Sequence, residues 1–384
     1  MTKNTFSPVE IKEGMNHFKT TPTKVLFGVD CIKKIGDLIR EFDPRKILIV
    51  SGQKTIERHN FKSYLEDYKF AVYRVKPRVT VQAVESGLNF FKKNNADLII
   101  GFGGGSAIDT GKAIAILSKN TGSVRDYLFK KEAIKNNGLP FIAIPTTSGT
   151  GSEVTRYASI IDEKNKEKKS LSHEFLCPDA TLVDPKFILT LPPRITAITG
   201  MDALSQGMEA YWSVNASLES DVYALSCIKL AFENLEKAYH NPENIKFRER
   251  MSKASLLSGV AITHTRTTIV HSVSYPITTY FNVPHGLACS LTLPYFMEFN
   301  SEAAPEKILK ISQIMGAKNV SEGTMKLKHL IAAIGLETRL SELGIKKEDI
   351  EIIIKKGFRP DRANRNPRKV TEVDLREILM KIIM

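Results

Sequence analysis

The run Gly103-Gly104-Gly105-Ser106-Ala107-Ile108-Asp109-Thr110-Gly111-Lys112 directly follows the apolar stretch Leu98-Ile99-Ile100. This junction limits the local fold more than any other segment of the chain. It predicts a buried strand, a glycine turn and a helix that starts near Ser106. Three glycines let the backbone come close to an anion, and the free N–H groups and dipole at a helix start favour phosphate. The turn therefore fits the pyrophosphate of a dinucleotide; a tight strand-to-helix turn without a ligand is the other reading. The spacing is neither GxGxxG nor GxxxxGK[ST], which sets aside the generic Rossmann fingerprint and the P-loop.

Around this turn the first half of the chain alternates strand-like and helix-like segments. Residues 46–50, 70–75, 98–102 and 141–145 read as buried strands, and residues 31–42 and 81–94 as helices between them. Such alternation implies a parallel sheet covered on both faces, with ligands beyond the carboxyl ends of its strands. After Leu191-Pro192-Pro193 the strand signals fade. Amphipathic segments follow at 203–212, 221–239, 247–262, 267–280, 304–315, 325–336 and 375–383. The expected division is an α/β domain over residues 1–191 and a helical domain over 192–384, with a cleft between them as the default place for an active site.

The chain has 384 residues, 42% of them hydrophobic and 25% charged, enough for two domains with real cores. No run of about 18 apolar residues offers a membrane span. Residues 1–13 are polar and carry no apolar signal core. Cys31, Cys177, Cys227 and Cys289 are scattered without CxxC spacing, which points to a reducing cytoplasm and away from a zinc knuckle or disulfide framework. The formal charge of +13 invites a nucleic-acid reading. The basic residues are spread along the chain, however, and are not interleaved with aromatics. A solvated basic surface, or a field that draws in an anionic small molecule, accounts for them without a nucleic-acid partner.

Two further constellations carry chemistry. Pro145-Thr146-Thr147-Ser148-Gly149-Thr150-Gly151-Ser152-Glu153 follows the strand at 141–144 and begins at the same sheet edge as the glycine turn. Small hydroxyl residues between glycines suit contact with a ribose or nicotinamide amide; a polar loop with a Ser152 cap is the plainer reading. Asp202 and Gln206 are four residues apart and share one helix face, while His271 and His285 lie 14 residues apart. Asp, His and His, with an oxygen from Gln, suit Fe²⁺ or Zn²⁺ with an open coordination position. His264 reads as a core histidine.

Together these residues resemble the iron-containing (group III) alcohol dehydrogenase family. The likeness runs from about Thr23 to the C-terminus: the turn at 103–109, the 145–153 loop, Thr181-Leu182-Val183-Asp184-Pro185, Gly200-Met201-Asp202-Ala203-Leu204, and His271 followed by Pro284-His285-Gly286. The resemblance implies the dehydroquinate synthase-like architecture, an α/β nucleotide-binding domain with a parallel sheet followed by an all-α domain. It also implies a homodimer, NAD(P)H as cofactor, one divalent metal, and hydride transfer between a nicotinamide and an alcohol or aldehyde. By position, Asp202, His271 and His285 match metal ligands, with Gln206 as a fourth candidate. Cofactor contacts fall on Gly52, Gly103, Gly104, Gly105, Ser106, Asp109, Thr146, Thr147, Thr150, Lys168 (or its neighbour Lys169) and Leu182.

Three departures from the family pattern stand out. Gln206 occupies the usual place of a ligand histidine, and a neutral amide is the poorer donor. Tyr275 stands where some members carry a histidine, so a proton relay there would use the phenol or a water. Ser51-Gly52-Gln53-Lys54 lacks the aspartate that many NAD-specific members hold against the adenosine ribose, which opens the site to NADPH as well as NADH. The segments around Asp202, Arg266 and His271 look like the phosphonoacetaldehyde reductase branch, close to reductases of sulfoacetaldehyde. Lactaldehyde or propanediol oxidoreduction is the neutral alternative, and a catalytically silent nucleotide-binding protein the non-enzymatic one. Arg266 is the first choice for the anionic head of such a substrate, with Arg156 and Arg365 behind it; guanidinium offers a planar fork for phosphonate or sulfonate oxygens. His271, His285 and Tyr275 are the expected catalytic residues.

Overall fold

The structure, a computed structural model, describes residues 13–18 and 21–383. Its strands are β1 (Gly14–Phe18), β2 (Thr21–Phe27), β3 (Ile47–Ser51), β4 (Phe70–Arg74), β5 (Leu98–Gly103), β6 (Phe141–Pro145), β7 (Tyr157–Asp162), β8 (Glu167–Ser172) and β9 (Ala180–Val183). Seven form one sheet in the order β1-β2-β9-β6-β5-β3-β4, parallel except for the β1–β2 pair, and β7–β8 is a separate antiparallel hairpin.

The central strands are continuous apolar runs because both of their faces are covered. Ile47, Ile49, Ile100, Ile142 and Ile144 pack on one side with Ile35, Leu38, Phe61 and Leu65. Their alternates Leu48, Val50, Ile99 and Ala143 pack on the other with Ile108 and Ile114. This is the period of two expected of a sheet buried on both sides, and each fully buried aliphatic side chain contributes about 1.5–3 kcal/mol.

The helices are α1 (Ile35–Arg40), α2 (Gln53–Arg58), α3 (Val81–Asn94), α4 (Gly105–Leu117), α5 (Val124–Leu128), α6 (Pro193–Trp212), α7 (Leu218–His240), α8 (Ile245–Thr265), α9 (Ile269–Phe281), α10 (His285–Asn300), α11 (Pro305–Ile314), α12 (Val320–Ala333), α13 (Ile350–Gly357), α14 (Pro360–Ala363) and α15 (Glu372–Ile383). The helix expected at residues 31–42 is a 3-10 turn, Cys31–Lys34, that runs into α1. The double proline starts α6 ten residues before the expected segment, with Pro192 as the N-cap and Pro193 in the first turn, where a missing N–H costs nothing.

Two compact units emerge. One comprises the described residues up to Leu191 together with Glu243–Ser252; the other comprises Pro192–Pro242 and residues 253–383. The first half of α8 thus belongs with the sheet, where Arg248 donates to the Leu191 carbonyl at 3.2 Å and the Ser148 and Ser252 hydroxyls lie 3.3 Å apart.

Candidate active site

In the helical unit, α6, α9 and α10 bring Asp202, His271, His285 and Cys289 together, with one donor atom of each within 4.8 Å of all the others. Gly286 makes this approach feasible. A Cβ there would lie 2.0 Å from the Ile198 carbonyl oxygen and 3.1 Å from the Asp202 Cβ. Any side chain would push the start of α10, and His285 with it, away from α6. Nε2 of His271 stands 3.4 Å from Asp202 Oδ1, and Nε2 of His285 stands 3.9 Å from it.

The opposite ring nitrogens are tied down. Glu209, two helical turns after Asp202, accepts from Thr268 N at 2.9 Å, from Thr268 Oγ1 at 2.7 Å, from His271 N at 3.3 Å, and from Nδ1 of His271. Burial opposes ionisation of Glu209, but His271 and these donors outweigh it and hold the carboxyl below its usual range. Ser274 donates its single hydroxyl proton to the His271 carbonyl at 2.8 Å, so at 3.2 Å its oxygen accepts from Nδ1 of His285. Each ring is thereby held with its Nε2 facing Asp202. Such outer partners are what orient ligand histidines and raise their basicity.

Asp202 Oδ1 and His271 Nε2 are buried and lack any hydrogen-bond partner. An orphaned buried polar atom costs about 1–3 kcal/mol, and a fold rarely keeps two of them facing one another without a use. Burial works against a charge on His271, yet Cys289, Glu209 and Asp202 push its proton affinity well above the ordinary imidazole value. The cluster attracts positive charge, and the donor set of carboxylate, two imidazoles and a thiol fits a divalent transition metal. The sequence reading took Cys289 only as one of four scattered cysteines and gave no role to Glu209 behind His271.

The other expected residues of this unit fall as follows. Gln206 shares the Asp202 face of α6, but its Oε1 accepts the Ser258 hydroxyl at 2.9 Å. Tyr275 lies on α9 with its ring 5.8 Å from that of His285, and its hydroxyl accepts from Arg362 at 2.6 Å. Arg362, whose guanidinium also donates to Thr267 Oγ1, stacks 4.7 Å from the Tyr275 ring centroid. Arg359 sits 5.7 Å from the same ring. Arg266 ends α8 in a left-handed conformation (φ 57°), two residues before the Thr268 cap of α9. Arg365 contributes its backbone carbonyl to Val214 N at 3.0 Å. The arginine that meets Tyr275 in the 362–368 segment is therefore Arg362. His264 stacks against Tyr223 at 6.2 Å.

In the sheet unit, β5 ends at Gly103 with φ +153°, a conformation that favours glycine, and α4 begins at Gly105. Thr146 N donates to the Gly103 carbonyl at 3.0 Å. A Cβ on Gly104 would lie 3.2 Å from Thr147, and one on Gly105 would lie 3.0 Å from Thr150. The two loops that the sequence placed at neighbouring strand ends are in direct contact. Ser106 Oγ donates to the Pro77 carbonyl at 2.5 Å. Gly52 caps α2 beyond the end of β3.

Two expected cofactor contacts, Asp109 and Leu182, have side chains that are already engaged. Both carboxylate oxygens of Asp109 are taken by protein donors, Oδ1 by the Ser152 hydroxyl and Oδ2 by Ser159 N at 2.8 Å, so it braces the 145–159 segment. Leu182 is fully buried in the sheet core and its side chain is closed to a ligand. In β8 the pleat puts Lys168 and Lys169 on opposite faces, and Lys169 covers the Phe129 ring at 4.1 Å. Arg156 precedes β7, and its Nε donates to the Tyr157 hydroxyl at 3.3 Å.

The fold and site define a class: a parallel sheet with a glycine turn suited to a dinucleotide, and a helical bundle suited to a divalent metal, in one chain. Residues 22–185 match the family model described as iron-containing alcohol dehydrogenase, and residues 196–383 match the C-terminal model of the same family. Among curated relatives, the NAD-dependent methanol dehydrogenase of Bacillus methanolicus is 31% identical over 95% of this chain and 99% of that one. The sulfoacetaldehyde reductase of Bilophila wadsworthia is 32% identical over 94% of this chain and 97% of that one. The crystal structure of sulfoacetaldehyde reductase from Bifidobacterium kashiwanohense in complex with NAD+ superimposes with a TM-score of 0.89 at 30% identity, covering 96% of this chain and 99% of that one. The chain belongs to the iron-containing alcohol dehydrogenase family. Among the described residues, no helix is long and apolar enough to cross a membrane.

Proposed function

We propose that the protein reduces a small anionic aldehyde with NAD(P)H, and that phosphonoacetaldehyde, giving 2-hydroxyethylphosphonate, is the first substrate to test. The observation that carries the anionic part is Arg362. Its guanidinium is half-buried beside Tyr275, one ring away from His285, and among the described residues no carboxylate pairs with it. A half-buried cation held by a hydroxyl and a phenol is well suited to a phosphonate or sulfonate. Sulfoacetaldehyde is the second reading, favoured by the two relatives that bear that substrate in their names.

A nicotinamide cofactor held at the Gly103–Gly105 turn would supply hydride to the aldehyde carbon, and the carbonyl oxygen would then need stabilisation of its negative charge and one proton to complete the alcohol. A divalent ion on Asp202, His271 and His285 would supply Lewis acidity toward that oxygen. The rest is done by this chain. Glu209 and Ser274 keep the two imidazoles facing Asp202. The Tyr275 hydroxyl, which accepts from Arg362, is the group of this chain assigned to pass a proton to the nascent alkoxide, directly or through water. The Gly103–Gly105 turn at the start of α4 offers backbone N–H groups to the cofactor pyrophosphate. A cavity at the ends of β3 and β4, lined by Gln53, Glu57, Lys62 and Arg74, suits the adenosine ribose with or without a 2′-phosphate.

The test is oxidation of NADH and NADPH with phosphonoacetaldehyde, sulfoacetaldehyde and lactaldehyde side by side, repeated on Arg362→Ala. The proposal expects an anionic aldehyde to be preferred, and its kcat/KM to drop about 10–100-fold in the variant, equivalent to ~1.5–3 kcal/mol for a lost charged hydrogen bond. Preference for lactaldehyde, with no effect of the variant, would leave only the family assignment.

A further inference from the structure

We infer that Cys289 is a ligand of the metal, so that this centre is an Asp-His-His-Cys site with thiolate character. The inference rests on the metal-dependent reading above and adds a donor to it.

The placement comes from α10. His285 is its first residue, and Cys289 follows by four, one turn later on the same face. The start of α10 can press against α6 only because position 286 is glycine, and the same contact that delivers His285 to Asp202 delivers the Cys289 sulfur. Cys289 has no exposed surface, and Asp202 and His271 are 3% exposed, so water does not compete for these donors. The side chain of His285 keeps 22% of its surface and marks the open side, from which an aldehyde oxygen can approach.

A buried cysteine is ordinarily a small apolar filler. Cys227 is one: it is sealed between α6 and α7, with its thiol directed at the Ala203 carbonyl at 3.3 Å. Cys289 differs in what surrounds it. Its sulfur shares a space with the two orphaned atoms, Asp202 Oδ1 and His271 Nε2, and with the Nε2 of His285. Gln206 is the other candidate donor, but its amide oxygen already accepts from Ser258 and is in any case a weak partner for a soft ion. A bound metal would hold the Cys289 sulfur as a thiolate, its thiol proton being released to solvent. A thiolate beside two imidazoles would favour Zn²⁺ or Co²⁺ over harder cations.

Cobalt distinguishes the ligand sets without reference to turnover. Purified protein is stripped of metal, loaded with one Co²⁺ per chain, and its absorption recorded beside Cys289→Ser, Cys289→Ala and Gln206→Ala. The expected result is an intense near-ultraviolet sulfur-to-cobalt band in wild type and in Gln206→Ala, lost in both cysteine variants. Zn²⁺ affinity, measured by competition with a chelator, should fall at least about tenfold in the cysteine variants, with the preference shifting towards harder ions. A cobalt-loaded, active wild type without that band, or Zn²⁺ affinity unchanged in both cysteine variants, would overturn the role of Cys289 and leave the dehydrogenase reading intact. Failure of the wild type to bind cobalt or zinc at all would overturn both.

Discussion

Each unit of the molecule buries a cluster of charged side chains, and the two are finished in opposite ways. In the sheet unit, Lys112 is 1% exposed and gives its protons to the carbonyls of Ser152 at 2.9 Å, Thr155 at 3.0 Å and Tyr157 at 2.5 Å. Asp109 stands 3.8 Å from its ammonium, with both oxygens engaged. Burial raises the neighbouring Glu153 carboxyl to about 7. Every donor and acceptor of Lys112 and Asp109 is used, and the cluster pins the 145–159 loop onto α4. In the helical unit, Glu209, Thr268 and Ser274 complete the outer side of the two histidines, while Asp202 Oδ1 and His271 Nε2 face each other without a hydrogen-bond partner. A buried charge with its partners complete is a brace; one with converging, unpartnered lone pairs is a binding site waiting for a cation. Motif spacing alone makes Asp109 and Asp202 look equally functional, and the hydrogen bonds separate them.

Substitutions can break this contrast. His271→Ala should lower turnover by about a thousandfold or more through loss of the polarising centre, while cofactor binding, followed by nicotinamide fluorescence, holds within about twofold. Unchanged turnover would remove the helical cluster from the chemistry. Lys112→Met should act on stability instead, by about 3–5 kcal/mol, because it orphans three carbonyls and strips a carboxylate of its cation. Denaturant unfolding reads this loss, and the folded fraction should still bind metal. Glu209→Gln sits between the two: the fold survives, but metal affinity or kcat falls about 10–100-fold because His271 loses the acceptor that fixes its ring. Retention of both would make Glu209 a mere packing group.

The smallest effect concerns pH. Burial, helped by the charge of Arg58, lowers His59 from 6.5 to about 4, and its ring packs edge-on against Phe102 at 5.8 Å and Phe187 at 5.1 Å. The unfolded chain binds this proton first, so the stabilising contribution is complete above about pH 6.5 and is lost as pH falls towards 4. His59→Phe should flatten the acid limb of the stability curve across that window. An unaltered limb would show that other groups control it.

Much of this was legible in residues. The turn at 103–105 and the helix at 81–94 need only glycine and periodicity, and Asp202, His271 and His285 stand in recognisable motifs. Cys289 was not legible because Pro284, Gly286 and Pro294 interrupt the helical pattern and no segment was read between 280 and 304, whereas residues 285–300 form α10. Once that segment is known to be helical, the four-residue step from His285 to Cys289 is the signal. Glu209 likewise follows Asp202 by seven residues, the same face two turns on, but an acid on a helix does not announce that it holds a histidine. Leu182 and Asp109 were assigned to the cofactor from the motif, and only burial and hydrogen bonds show their side chains already spent. The strand at β9 is four residues long and too short for its alternation to stand out.

The most direct test of the central claim is the metal content of the chain at equilibrium with excess Zn²⁺ or Fe²⁺, measured for wild type and for Asp202→Ala and His271→Ala. The account predicts one tightly held ion per chain in wild type and substoichiometric, weakly held metal in both variants, with the fold retained. Wild type without bound metal, or variants that hold it as tightly, would contradict it.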